Sequence, residues 1–248
     1  MMTFTEIKTS AKGALKGRRK SAVGAWLLYF LIAFAIGLII SIGSLLFIEN
    51  LALYNVVNNG TTWLSYFVII PLAVGLTWLH LDIYDQKAVK AKDVFKGFSP
   101  YWKVMGAYLL VGLYTVLWSL LLIVTGIIKA FAYSQTLRVL KDNPELSISE
   151  AITKSRRLMD GNKWRYFLFQ LSFILWQLPV IVTYSVGVVL FINAAFNVNA
   201  SDAAFVGPAV LFGFSLLYSI FLFFYFVPYY FTADSGFYRQ LETPAKTD

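Results

Sequence analysis

Residues 101–140 decide the fold, and they read YWKVMGAYLLVGLYTVLWSLLLIVTGIIKAFAYSQTLRVL. Between Lys103 and Arg138 this block carries one charged residue, Lys129, which closely follows Thr125-Gly126. About 20 helical residues cross the hydrocarbon of a bilayer, so forty residues suffice for two crossings. We therefore predict two membrane helices in the block, with a break near Gly126.

The rest of the chain is also unusually apolar. Of its 248 residues, 58% are hydrophobic and 14% charged, whereas soluble domains have roughly 45–50% and about 25%. The sequence therefore predicts an all-α membrane protein. Its other long apolar blocks are 22–48, 63–81, 164–196 and 203–231.

The distribution of Lys and Arg orients these blocks. Six basic residues precede the first block, five lie between residues 84 and 103, and seven lie between residues 138 and 165. Short basic loops stay in the cytoplasm. A single crossing by residues 101–140 would put Arg156 and Arg157 outside, whereas two crossings keep every basic segment inside. We therefore predict six transmembrane helices, with both termini in the cytoplasm.

Three short segments with a shared pattern precede the odd-numbered crossings: AKGALKG (Ala11–Gly17), AKDVFKG (Ala91–Gly97) and SRRLMDG (Ser155–Gly161). The pattern predicts an amphipathic helix on the cytoplasmic surface, ended by a glycine in the left-handed conformation. The chain would then be one membrane domain of three helical hairpins, with repeats 1–85, 86–142 and 143–242. The alternative is three unrelated juxtamembrane basic segments.

Helical spacing supports two of these surface helices. Phe4, Ile7, Ala11 and Leu15 share one face of the first helix, and Ser147 with Glu150 matches a capping box at the start of the third. The basic side chains of all three segments are predicted to contact lipid headgroups: Lys8, Lys12, Lys16, Arg18, Arg19, Lys92, Lys96, Arg156 and Arg157.

The even-numbered crossings share a second sequence feature. Each contains a residue that weakens a helix: Pro71 in the second, Gly126 in the fourth and Pro228 in the sixth. Such residues free backbone groups that neighbouring helices must satisfy. We predict a helix break at each of the three positions.

Several of these segments resemble a known family. IKTSAKGALKG (Ile7–Gly17), GIIKAFAYS (Gly126–Ser134), DNPELS (Asp142–Ser147) and EAITKSRRLM (Glu150–Met159) are similar to the bacterial membrane proteins of the domain-of-unknown-function 975 family. The resemblance covers most of the chain, although Thr125-Gly126 stands where the family pattern has Pro-Gly. It implies a bacterial plasma-membrane protein, and it implies no activity.

Enzyme signatures are lacking in the sequence. There is no cysteine and only one histidine, His80, so a metal cluster of several histidine or cysteine ligands cannot be assembled. Asp82 and Asp85 share a helix face and could hold a divalent ion, but two carboxylates beside lysines are more often a solvated helix end. We expect no enzymatic activity, no cofactor and no bound metal.

Charges inside the apolar blocks form the sharper candidate site. Lys129 and Asp234 fall at similar predicted depths in the fourth and sixth crossings, and Arg138 and His80 lie near the same inner ends. Intramembrane ionisable residues suggest function by default. The four residues could form a polar site for transport, whereas the simpler interpretations are a structural ion pair or side chains that reach to water.

Two functions remain open at this stage. One is a non-enzymatic protein that binds anionic lipid or a partner, in envelope maintenance or as a receptor or immunity factor for membrane-active peptides. The other is a transporter or lipid-handling protein that uses Lys129 and Asp234. The formal charge of +8 favours the anionic membrane surface over nucleic acid. Ladders of small residues permit close helix packing, either within the chain or in a homo-oligomer.

Overall fold

The computed structural model describes residues 2–197 and 201–243, and that part of the chain is helical with no β-strand. The α-helices are α1 Phe4–Leu15, α2 Arg19–Leu45, α3 Leu51–Tyr84, α4 Tyr101–Leu121, α5 Ile123–Tyr133, α6 Thr136–Asp142, α7 Ile148–Leu158, α8 Lys163–Ile174, α9 Leu178–Phe196, α10 Val206–Phe221 and α11 Val227–Glu242. Short 3₁₀ helices occupy Ala91–Phe98 and Asp202–Phe205.

Five helical segments in the described residues are long and apolar enough to cross a membrane: Arg19–Leu45, Leu51–Tyr84, Tyr101–Leu121, Leu178–Phe196 and Asp202–Glu242. A membrane protein is thus supported, but the fourth predicted span, the second helix of block 101–140, is missing from this set. Its residues form α5, which has 11 residues, and α6. The 11-residue α5 is about 16 Å long, which is well short of the roughly 30 Å thickness of the hydrocarbon.

The chain divides into two compact units. One contains Met1–Lys163 together with Phe231–Asp248, and the other contains Trp164–Tyr230. The discontinuous unit holds every charged residue that the sequence proposed for a site. The three-repeat division stays a prediction.

The short helices of the discontinuous unit bury their apolar sides within the protein. Ile7, Ala11 and Leu15 of α1 are buried, as are Val94 in the 3₁₀ helix Ala91–Phe98 and Ile152 in α7. The predicted capping box of α7 is present between Ser147 and Glu150, and α1 has another between Thr3 and Glu6. These apolar faces therefore pack on the protein's own helices rather than facing lipid.

The three glycines that close these segments do not share one role. Gly17 and Gly161 have φ of 80° and 69°, so the predicted left-handed conformation is confirmed at both. For Gly97 the prediction is wrong, since its φ is not positive. A Cβ there would lie 2.0 Å from the carbonyl oxygen of Pro71 in α3. Position 97 requires a residue without a side chain because the 3₁₀ helix approaches α3 closely. The helix break predicted at Pro71 is absent, since α3 stays continuous through that residue.

Block 101–140 turns back on itself at Leu122, the one extended residue between α4 and α5. Tyr114 packs on Tyr133, and Ser119 packs on Gly126, so the two helices run antiparallel. The break thus comes earlier than the predicted Gly126. Gly126 instead permits close packing, because a Cβ there would lie 1.9 Å from Ser119 Oγ.

Residues 164–230 form the second unit, in which α9 packs on α10. Gly187 of α9 faces Phe212, and Thr183 shares a 2.7 Å hydrogen bond with Ser215. A π-helical turn at Leu222–Phe226 precedes α11, just before Pro228. The helix is therefore distorted just before Pro228, where proline cannot donate a backbone hydrogen bond, but it is not interrupted there as predicted.

Candidate functional site

His80 is fully buried in α3 and hydrogen-bonded at both ring nitrogens. The indole of Trp26 in α2 donates to His80 Nε2 at 3.0 Å, and Thr232 Oγ1 of α11 lies 3.0 Å from Nδ1. An indole N–H can only donate, so Nε2 accepts and the neutral ring carries its proton on Nδ1. Phe231 stacks on the ring, with centroids 5.6 Å apart. His80 thus joins three helices as a structural residue.

Arg138 of α6 and Asp234 of α11 form a buried ion pair. Arg138 Nη2 lies 2.5 Å from Asp234 Oδ2, and the two side chains are 5% and 8% exposed. Gln135 Oε1 accepts a second bond from Arg138 at 2.9 Å. The backbone N–H of Gln135 donates in turn to Ser155 Oγ, which links the pair to α7. This arrangement fixes α6, α7 and α11 to one another.

Arg239 near the end of α11 binds three carboxylates. Its Nε and Nη2 donate to both oxygens of Asp85 at 2.8 and 2.6 Å, and its Nη1 lies 2.6 Å from Glu242 Oε2. It also bonds Asp142, which accepts a further hydrogen bond from Tyr238 at 2.9 Å. Burial raises the pKa of Asp85, but Arg239 and Lys87 together more than offset this, so the pKa lies below its ordinary value. We call Arg239, Asp85, Asp142 and Glu242 the arginine cluster.

Asp82, one turn before Asp85, is surrounded by three lysines. Lys141 Nζ lies 2.7 Å from Asp82 Oδ1, Lys87 Nζ lies 3.1 Å from the same atom, and Lys96 Nζ lies 3.8 Å from Oδ2. The hydrogen bond to Asp82 raises the pKa of Lys87. Asp82 and Asp85 therefore neutralise cations, and residues 2–197 and 201–243 contain no group of three or more ligands suited to a metal ion.

A cavity of about 430 Å³ lies between α5 and the end of α7. Its wall contains four cationic side chains, one carboxylate, one hydroxyl and two apolar side chains: Lys129, Arg156, Arg157, Lys163, Asp160, Thr153, Ile128 and Ala132. The ammonium group of Lys129 lies 4.2 Å from the ring centre of Trp118, and Lys163 Nζ lies 3.3 Å from Asp160. We call this site the basic cavity.

The structure divides the predicted polar site into two. Asp234, Arg138 and His80 lie close together in the core, because His80 contacts Thr232, two residues before Asp234, and Asp234 is bonded to Arg138. Lys129 lies apart from them in the basic cavity. The pairing of Lys129 with Asp234 is therefore absent, because Asp234 is bonded to Arg138. A transport path lined by Lys129 and Asp234 has no basis in this geometry.

The predicted headgroup residues also differ in how available they are. Arg18 donates to the backbone oxygens of Lys87 and Gln86 at 3.0 and 2.5 Å, and Lys96 is paired with acids, while Lys8 and Arg19 are half-buried. The exposed members of the set are Lys12, Lys16, Lys92, Lys96, Arg156 and Arg157, and of these Lys96 is held by ion pairs to Asp82 and Asp93.

Sequence reasoning missed the arginine cluster. Asp85, Asp142 and Glu242 stand at the last residues of the three predicted repeats, so the repeat boundaries contained the signal. In the sequence, each of these three acidic residues taken alone resembles an ordinary solvent-exposed residue at a helix end. Their convergence on Arg239 becomes visible only when α3, α6 and α11 are brought together.

Comparison with known families complements this geometry. The profile described as "Protein of unknown function (DUF975)" matches residues 1–130 and 120–245. The chain belongs to the DUF975 family. Neither the curated proteins nor the solved structures contain a match. Membership of DUF975 agrees with the several apolar helices of a membrane protein, and the family brings no assigned function.

Proposed function

We propose that this protein is a non-enzymatic, multi-span protein of the bacterial plasma membrane whose cytoplasmic basic face binds anionic lipid headgroups. The observation that carries the proposal is the exposure of basic side chains on segments whose apolar sides are buried. Lys12 and Lys16 extend from α1, and Arg156 and Arg157 extend from α7. Each Lys or Arg near an anionic surface contributes about 1 kcal/mol.

This face suits a role in envelope maintenance, or one as receptor or immunity factor for membrane-active peptides. The buried apolar sides limit the mode of binding. Since Ile7, Val94 and Ile152 pack within the protein, the short helices would attract headgroups by charge and would not insert into the acyl layer. The proposed interaction is therefore electrostatic and should weaken with salt.

A lipid-retention experiment tests the proposal. The purified protein would be mixed with phosphatidylglycerol and phosphatidylcholine at several salt concentrations, and retained lipid counted by native mass spectrometry. We expect preferential retention of phosphatidylglycerol, reduced when Lys8, Lys12 and Lys16 are all changed to Gln and kept when they are changed to Arg. Equal retention of the two lipids by the unaltered protein would overturn the proposal.

We also propose that α4 and α5 enter and leave the membrane by the cytoplasmic face. The 11-residue α5 is too short for a crossing, and Lys129 on it shares a cavity with Arg156. A re-entrant pair keeps the basic residues 138–165 inside, as six crossings would. Both termini stay cytoplasmic in either arrangement.

Cysteine labelling separates the two arrangements, because the chain has no native cysteine. With a membrane-impermeant maleimide added outside intact cells, Glu49→Cys should be labelled and Leu122→Cys should not. Labelling of Leu122→Cys from outside would establish that α4 and the residues after it cross the membrane, which makes six crossings in all, and would reject the re-entrant pair. Arg156→Cys should react only after the cells are opened.

A further inference from the structure

We propose that the basic cavity binds the phosphate group of an anionic phospholipid. This inference rests on the proposed function and adds to it a defined site. The cavity of about 430 Å³ lies within the 300–1,000 Å³ range of small-molecule sites. It would hold a glycerophosphate headgroup.

The charge of the cavity calls for an anion. Four cationic side chains face one carboxylate, that of Asp160, which is 84% exposed and lies beside Lys163. Within residues 2–197 and 201–243, the side chains of Arg156 and Arg157 make no hydrogen bond or ion pair. Adjacent cations without an acid repel one another, so an anion between them would be strongly favoured.

The chemistry of the two arginines suits a phosphate. A guanidinium group presents parallel N–H donors that match two oxygens of a phosphate, whereas an ammonium acts as a point charge. Arg156 and Arg157 provide two such groups at the end of α7, and the hydroxyl of Thr153 lines the same wall. The donor set therefore favours a phosphate over a carboxylate.

The apolar wall indicates a lipid rather than free phosphate. Ile128 and Ala132 of α5 line the cavity, and Ile128 is 44% exposed. Val124 and Ile127 on the same helix are also exposed and continue the apolar surface toward Leu122. An acyl chain could lie along α5 while its phosphate stays with the arginines.

This placement also accounts for Lys129. An unpaired lysine in an apolar helix is costly, and its described partner, the ring of Trp118, supplies only a cation–π contact. A bound phosphate would give the ammonium group a counter-ion. Lys129 is thus the innermost cation of the proposed site.

The test measures binding of short-chain phosphatidylglycerol to the purified full chain by isothermal titration calorimetry. We expect one saturable site in the unaltered protein. Combined Arg156→Gln and Arg157→Gln should weaken it at least tenfold, and combined Arg156→Lys and Arg157→Lys should weaken it less. Thermal unfolding should be unaltered because the two guanidinium groups make no hydrogen bond or ion pair within the described residues, so weaker binding would not reflect misfolding.

Three outcomes would count against the site. Unchanged affinity in the folded double Gln variant would overturn it. Equally tight binding of inorganic phosphate or glycerol 3-phosphate would overturn the assignment to a lipid. If the Lys8, Lys12 and Lys16 variants alone lost lipid preference, the site would fail while the proposed function stood, and absence of any preference in the unaltered protein would reject both.

Discussion

Arg239 and Asp85 are 154 residues apart in the sequence and share a two-point ion pair, with Nε–Oδ1 and Nη2–Oδ2 distances of 2.8 and 2.6 Å. The guanidinium group also bonds Asp142 and Glu242. One side chain therefore connects the ends of α3, α6 and α11. The cluster is partly exposed, so these bonds act where water and ions can reach them.

Replacing Arg239 should destabilise the protein. We expect Arg239→Gln to lower the free energy of unfolding by about 2–3 kcal/mol, because three carboxylates lose their shared cation. Arg239→Lys should recover only part of this loss, since an ammonium group cannot bond both oxygens of Asp85 in parallel. Thermal unfolding in detergent micelles measures the effect, with Arg157→Gln as a matched control. Full stability of the Lys variant would contradict the two-point pairing.

The Arg138–Asp234 pair predicts strong coupling between two substitutions. Arg138→Met and Asp234→Asn should each cost about 3–5 kcal/mol, because each leaves its partner buried without its counter-ion. The double variant should cost clearly less than the sum. Denaturant unfolding measures the free energy of unfolding of the wild type, the two single variants and the double variant, which together make the double-mutant cycle. A second cycle, with Lys129→Met and Asp234→Asn, should be additive within about 0.5 kcal/mol; coupling there would restore the rejected pairing.

The contact between Gly97 and Pro71 predicts a steric effect. In Gly97→Ala the new Cβ would lie 2.0 Å from the Pro71 carbonyl oxygen, so the 3₁₀ helix must move away from α3. We expect a loss of about 1–3 kcal/mol, measured by thermal unfolding. The control is Gly13→Ala in α1, where a Cβ meets nothing within 4 Å. That change should stabilise the protein by about 0.5–1 kcal/mol, and similar results for both variants would refute the close approach.

The lowered pKa of Asp85 predicts that the free energy of unfolding decreases at acidic pH. The folded pKa lies below the unfolded value of about 3.9, so the contribution of Asp85 is fully present above that value and is lost as pH falls through the folded pKa. Unfolding of the wild type and Asp85→Asn should be compared from pH 7 down to about pH 2, so that the range extends well below the unfolded pKa. The wild type should be more stable at neutral pH, and the two curves should converge in acid. A constant difference would exclude this linkage.

Local features of the fold were predictable from the sequence. The capping box at Ser147 depends on residues three positions apart, and the left-handed Gly17 and Gly161 end short segments in the expected way. These inferences used information within one helix or one loop. The charges on either side of residues 101–140 also indicated two helices in that block, and α4 and α5 are present there, but the second of the two predicted crossings is not among the candidate spans.

Features that depend on packing between distant helices were not predictable. Depth along the helix suggested Lys129 as the partner of Asp234, but depth does not say which helix is the lateral neighbour. The turn at Leu122 was missed because Thr125-Gly126 had the more obvious composition. Thr125 Oγ1 instead bonds the carbonyl oxygen of Trp118 at 2.8 Å, which supports the reversal from inside α5.

The discontinuity of the larger unit has a consequence for biogenesis. Residues 231–243 complete a structure whose other members end at Lys163, yet the ribosome makes Trp164–Tyr230 in between. Until α11 emerges, Asp85 and Asp142 lack Arg239, Arg138 lacks Asp234, and His80 lacks Thr232. A nascent chain stalled or truncated before α11 would thus lack partners of Arg138, Asp142 and His80 at once, and we expect it to be less stable than the complete unit.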